Sequence, residues 1–245
     1  MPVHSFCVYI SLEMITKEVP VTLFTGYLGA GKTTLLNHVL NNKSGYKCAV
    51  IVNDIGEVNI DRNLIESGAG MKGVIPLTNG CICCTLKKNL IQQIHNLILT
   101  GKYDHIVIEA SGICEPAPIS QAITQLEGAR LDNIVTVVDA LRLASEFGCG
   151  QYLIEEKTKK DANEDDIERL LIQQIEFCTT IVLNKIDTVN KNELGAVRKV
   201  LKTLQPSARV IETNYGQVAF RDILDTRAFD FDTTYKSAGW IQELA

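Results

Sequence analysis

The sequence predicts an α/β domain whose mostly parallel sheet is flanked by helices. Three observations predict it. Short β-branched and aliphatic runs recur along the 245 residues. The stretches between several of these runs place apolar residues at helical spacing. A glycine-rich segment, Gly26-Tyr27-Leu28-Gly29-Ala30-Gly31-Lys32-Thr33, stands between the first run and the first helix. Strands that are apolar throughout are buried on both faces, which is the signature of a parallel sheet covered by helices.

Val21–Thr25 reads as the first strand, and Leu35, Leu36, Val39 and Leu40 mark one face of the helix after it. Strands follow at Cys48–Val52 and Val74–Leu77. Next comes a helix with Leu86, Leu90, Ile94 and Leu97 or Ile98 inward. Further strands are read at His105–Glu109, Asn133–Asp139, Thr179–Leu183 and Ala208–Glu212, with helices near 117–126, 165–176 and 190–204. The mixed-charge stretch around 150–164 reads as a solvated loop, the one plausible insertion. In such a fold, ligands sit outside the carboxyl ends of the strands. The length suits one large domain, with residues 1–17 an N-terminal extension and 18–245 the domain itself; translation from Met14 is also compatible with that boundary.

Composition excludes several classes. A net charge of −5 without a basic patch argues against nucleic acid as a partner. No run of 18 apolar residues suggests a membrane span, and the N-terminus lacks the basic and small-residue features of a signal peptide. The expectation is a cytoplasmic protein without a membrane partner. Eight cysteines in such a chain do not read as a disulfide framework. Cys7, Cys48, Cys114, Cys149 and Cys178 are scattered and read as small buried residues. Cys81, Cys83 and Cys84 are clustered.

The glycine-rich segment fits G-x-x-x-x-G-K-[ST] in the strand-to-helix context its chemistry needs. Its glycines let successive N–H groups converge on a phosphate, and the helix dipole adds positive potential. Lys32 can reach the β- and γ-phosphates, and Thr33 can set its hydroxyl on Mg²⁺. Asn184-Lys185-Ile186-Asp187 follows another strand and fits N-K-x-D. The Asp187 carboxylate can accept from both guanine N1–H and the 2-amino group, a pair that adenine lacks. Glu109, ending an apolar strand, stands where a carboxylate holds Mg²⁺, directly or through water; a helix cap or an unrelated strand-end acid is the alternative. Gly112 allows a backbone N–H to approach the γ-phosphate. Asp139 ends a strand too and either faces the nucleotide or does not. No catalytic Gln or arginine finger is evident, so slow turnover is expected.

These residues resemble the CobW-like GTPases, relatives of HypB and UreG, over about 18–245. The resemblance rests on the phosphate loop, on Asn53-Asp54-Ile55-Gly56-Glu57 after the second strand, on Cys81-Ile82-Cys83-Cys84, and on Glu109-Ala110-Ser111-Gly112. It implies a P-loop NTPase domain of the SIMIBI-like GTPase kind. The implied nucleotide set is Gly26, Gly29, Ala30, Gly31, Lys32, Thr33, Thr34, Gly112, Asn184, Lys185 and Asp187, with Lys32, Thr33 and Glu109 catalytic and Thr33 and Glu109 on Mg²⁺. It also implies a zinc or similar thiophilic site at Cys81, Cys83, Cys84 and Asp54, with Glu57 a further carboxylate. Asp54 is a departure, since the family has Glu there. Read from spacing alone, the cysteines are open to metal, redox or plain burial. Relatives usually add a C-terminal, often His-rich domain; this chain ends about where it would begin, and four histidines form no such stretch.

The function so implied is GTP hydrolysis coupled to binding metal and delivering it to a client metalloprotein, with GTP/GDP, Mg²⁺ and Zn²⁺ as cofactors. A nucleotide-dependent homodimer is compatible with it. The alternatives are a switch GTPase that assists cofactor loading without carrying metal, and a P-loop kinase, which would have no use for Asn184 and Asp187.

Overall fold

The computed structural model describes residues 18–41, 45–52, 74–76, 85–159 and 167–230. Seven strands form one sheet: β1 (Val19–Thr25), β2 (Cys48–Val52), β3 (Val74–Pro76), β4 (His105–Glu109), β5 (Ala129–Asp139), β6 (Thr180–Asn184) and β7 (Arg209–Glu212). Their order is β3-β2-β4-β1-β5-β6-β7, and every pair is parallel. The short β3 runs parallel to β2, so its carboxyl end points the same way as the others. The helices are α1 (Lys32–Leu40), α2 (Thr85–Leu99), α3 (Pro116–Thr124), α4 (Ala140–Ser145), α5 (Gln151–Lys157), α6 (Ile167–Glu176) and α7 (Lys191–Leu204).

Two apolar layers enclose the sheet. Leu35, Leu36 and Val39 of α1 meet Phe24, Val50, Val107, Val135 and Val182 on one face, where Ile223 and Leu224 join them. On the other face, α2, α3, α6 and α7 cover Leu23, Ile51, Ile108, Ile134 and Ile181. Alternate residues of each strand therefore serve opposite cores, which is why the strands read as unbroken apolar runs. Both β1 and β5 lie inside the sheet; β1 runs into the glycine-rich loop, and β5 passes directly into α4 at Ala140.

Among the described residues the expected strands and helices are present, the helix Ala140–Ser145 is an addition, and two expectations are corrected, while Leu77 and the side chain of Leu86 lie outside the description. The loop expected around 150–164 is a helix over Gln151–Lys157 in its first half. Leu153 is fully buried there, and the buried Glu156 meets Lys159 at 2.7 Å, so charges that read as solvation flank an anchored turn. The fifth strand starts four residues earlier than expected, at Ala129. The charges hid it: Asp132 is fully buried yet accepts from Arg130 at 2.8 Å, Arg227 N–H at 2.8 Å and Thr226 N–H at 2.9 Å. A buried carboxylate is tolerated when its lone pairs are met in this way. Cys48, Cys114 and Cys178 are buried as expected, and burial pushes each thiol up to about 12. Cys149 is only half-buried, at a left-handed φ of 57°, which corrects its reading as a core residue. Among the described residues, no helix is long and apolar enough to cross a membrane.

Candidate functional site

The carboxyl ends of β1, β2 and β4 converge on a cavity of about 260 Å³. Gly29, Gly31, Lys32, Thr33 and Thr34 line one side of it, with Val52, Glu109, Ser111 and Gly112 opposite. The loop from Gly26 to Gly31 turns sharply because its glycines take positive φ. An added Cβ at Gly26 would stand 2.2 Å from Val137 O, and one at Gly31 would stand 2.4 Å from Asn184 Nδ2. Both positions are closed to any side chain by space and by conformation. The first N–H groups of the helix that follows have no partner within the helix, and its N-terminus brings positive potential to the cavity.

Lys32 curls back over the loop, donating to Gly26 O at 2.7 Å and Tyr27 O at 3.2 Å. The ammonium thus lies over the cradle rather than in solvent. Thr33 donates its hydroxyl to Glu109 Oε1 at 2.7 Å, although 76 residues separate them. A hydroxyl and a carboxylate brought together at the mouth of an anion cradle are hard oxygen donors, a set that suits Mg²⁺. Glu109 caps no helix: Glu115 takes the N-cap position of α3, and its side chain makes no cap bond.

A second half of the site lies at the ends of β5, β6 and β7. The buried Asn184 donates to Ala30 O at 2.9 Å and accepts from Gly216 N–H at 3.1 Å. Lys185, at a left-handed φ of 61°, donates to Gly29 O at 2.9 Å and pairs with Asp139 at 2.5 Å. These two side chains weld the N-K-x-D loop onto the glycine-rich loop. Asp187 is exposed, and its backbone N–H is held by Asn214 Oδ1 at 3.0 Å. Arg142 stacks over Tyr27 at 4.2 Å, bracing the cradle from outside.

The structure thus brings Gly26, Gly29, Ala30, Gly31, Lys32, Thr33, Thr34, Glu109, Gly112, Asn184, Lys185 and Asp187 to one edge of the sheet. Asp54, Glu57, Cys81, Cys83 and Cys84 lie outside the described residues. Among the described residues, no group of three or more His, Cys, Asp or Glu could hold a metal ion. Asp139 caps α4 by accepting from Arg142 N–H at 3.2 Å and pairs with Lys185. Sequence reading missed Arg142 and the Thr213–Gln217 turn. Asn214 and Gly216 just after a strand carried a usable signal, since Asn and Gly mark turns and strand ends on this edge face the ligand.

Comparison with known proteins adds to this geometry. The family model CobW/HypB/UreG, nucleotide-binding domain, matches residues 20–212. The zinc-regulated GTPase metalloprotein activator 1 of Dictyostelium discoideum is 35% identical over 249 residues, covering 93% of this chain and 52% of that protein. The zinc chaperone YjiA of Escherichia coli is 33% identical over 222 residues, covering 87% of this chain and 63% of that one. A crystal structure of a Zn(II)-bound triple mutant of the YjiA GTPase superposes with a TM-score of 0.60 at 27% identity, covering 87% of this chain and 63% of that one. HypB from Helicobacter pylori in complex with nickel shares the fold at a TM-score of 0.54 and 16% identity, covering 89% of this chain and 88% of that one. The chain spans about half the length of the curated relatives it matches in Dictyostelium and Schizosaccharomyces pombe, 52% and 51%.

Proposed function

We propose, for a chain that belongs to the CobW/HypB/UreG nucleotide-binding family, that it binds and slowly hydrolyses GTP in the cytoplasm and couples its nucleotide state to carrying zinc for a client metalloprotein. One observation carries the nucleotide part: Asn184 and Lys185 reach carbonyls of the glycine-rich loop, so a base reader and a phosphate cradle form one rigid site.

In this reading the β- and γ-phosphates lie against the N–H groups of Gly29 to Thr34, and Lys32 exchanges its two carbonyl partners for phosphate oxygens. Asp187, exposed at the base end, accepts from guanine. Thr33 and Glu109 would hold Mg²⁺, which supplies charge neutralisation at the phosphates when bound. Gly112 aims its backbone N–H at the γ-phosphate. None of these groups adds a strong base or an arginine finger, which supports slow turnover, well under ~1 s⁻¹. The metal part rests on Cys81, Cys83 and Cys84, whose thiolates suit zinc, with Asp54 a candidate carboxylate. The names of the relatives, zinc chaperone and zinc-regulated activator, support zinc as the cargo. A nucleotide-dependent homodimer is compatible with this reading.

Two measurements test it. Asp187→Asn should weaken GTP binding by ~10-fold or more and favour xanthine nucleotides, because the donor and acceptor pattern inverts; equal native affinity for ATP and GTP would refute guanine recognition. A zinc titration of the reduced protein, with GDP and with a non-hydrolysable GTP analogue, tests the cargo. Tight binding that survives a Cys81/Cys83/Cys84→Ser triple mutation would remove the site, and affinity equal in both nucleotide states would remove the coupling.

A further inference from the structure

We infer that Gln174, a fully buried amide on α6, is a positioning residue for the γ-phosphate side of the site. The inference rests on the nucleotide reading above and names a residue outside every motif in that reading. Gln174 does not line the phosphate cavity. Its Nε2 instead donates to Gly112 O at 3.1 Å and Cys114 O at 3.2 Å, 62 and 60 residues away in sequence. Two carbonyls can be met only by the amino half of the side chain, so the amide's orientation is settled by its partners.

The held segment is a tight turn: Cys114 N–H donates to Ser111 O at 3.0 Å. The carbonyl of Gly112 points into the protein, where water does not reach it, and an interior carbonyl on irregular backbone needs a partner. Peptide planarity carries the effect onward. Gly112 C=O and Ile113 N–H share one plane, so drawing the carbonyl inward turns the N–H outward, where Ser111 Oγ lies at 3.4 Å. That arrangement leaves Ser111 and Gly112 lining the phosphate cavity beside Glu109. The anchor is itself fixed, because Thr136 Oγ1 of β5 donates to the backbone carbonyl of Gln174 at 2.5 Å. A chain of contacts therefore runs from the centre of the sheet through α6 to the loop that meets the γ-phosphate.

Burying this amide is not favourable packing in itself. Gln174 Oε1 is buried without a hydrogen bond. An unmet buried acceptor opposes folding. A methionine of similar volume would avoid that cost while leaving both loop carbonyls unmet. A glutamine here makes sense as the means of holding the loop.

The test compares wild type with Q174M and Q174E, reading GTP turnover and the affinities for GDP and a non-hydrolysable GTP analogue. GDP has no γ-phosphate and does not need the 111–114 turn. Q174M should therefore keep GDP affinity within about twofold and lose roughly tenfold in both turnover and preference for the GTP analogue, as one lost positioning contact would do. In Q174E a protonated carboxyl still donates one hydrogen bond, and burial favours that form. Its turnover should fall with rising pH relative to wild type. This arm also decides the matter if Q174M fails to fold. Equal losses for GDP and the GTP analogue, or turnover unchanged in both variants, would overturn the positioning role. Full turnover in a parallel K32A variant would instead overturn the nucleotide reading beneath it.

Discussion

The two ends of the sheet use buried polar groups in opposite ways. At the amino end they close on each other. His105 Nε2 lies 2.9 Å from Thr22 Oγ1, Asn133 donates to Ile223 O at 3.0 Å, and Asp132 gathers Arg130 with the backbone of Thr226 and Arg227. These bonds strap the 223–229 segment under the sheet. At the carboxyl end the polar groups hold loops whose other side is open. Asn184, Lys185 and Gln174 each donate to backbone carbonyls of loops that line or adjoin the cavity. One end uses its hydrogen bonds to be stable, and the other uses them to keep a surface ready for a ligand. The two sets of bonds share no residue, so changes at one end can be separated from changes at the other.

Three experiments break or sharpen that separation. The largest effect is expected at the cradle. Lys32→Ala and Thr33→Ala should reduce GTP turnover by roughly a hundredfold or more. Their melting temperatures should stay within a few degrees of wild type, because neither side chain fills the core. A mutant that unfolds, or one that keeps full turnover, would show that these residues are structural.

Asp132→Ala should show the reverse. It strips a carboxylate from four donors, the Arg130 guanidinium, the Thr226 N–H and hydroxyl and the Arg227 N–H, at a cost of about 3 kcal/mol in denaturant unfolding. GDP affinity of the folded fraction should be unchanged. A large loss of nucleotide affinity at temperatures where the variant is folded would mean that the two ends are coupled.

The smallest effect concerns pH. Burial is the main cause that pulls His105 down to about 4, against 6.5 in the unfolded chain. Between those values the unfolded chain binds a proton that the folded one does not. Stability from this group is therefore intact above about 6.5 and is lost as pH falls toward 4. His105→Gln should flatten that slope in urea-unfolding midpoints measured from pH 7 to 4.5. A slope identical to wild type would place the acid sensitivity elsewhere.

The sequence by itself determined the order of the strands along the chain, the mostly parallel sheet and the glycine-rich loop between β1 and α1. The cradle was legible because its parts are neighbours in the chain: glycines, a lysine and a threonine in eight consecutive residues, with a strand before and a helix after. The N-K-x-D loop was legible for the same reason. Glu109 was legible only as a strand-end acid with two meanings, and its 2.7 Å contact with Thr33, across 76 residues, is a pairing that no spacing shows. The tertiary structure alone decided what crosses the chain. Asn184 meets Ala30 across 154 residues, and Gln174 meets Gly112 across 62. Asp139, Arg142, Asn214 and Gly216 likewise join the site from separate segments. A lone Gln or Arg in a helix carries no periodic or spacing signal, because its role depends on which carbonyl lies opposite once the strands have aligned. The charged strand start at Arg130 and Asp132 and the helix at Gln151–Lys157 were hidden likewise: hydropathy counts a charge as solvated until the fold supplies its partners.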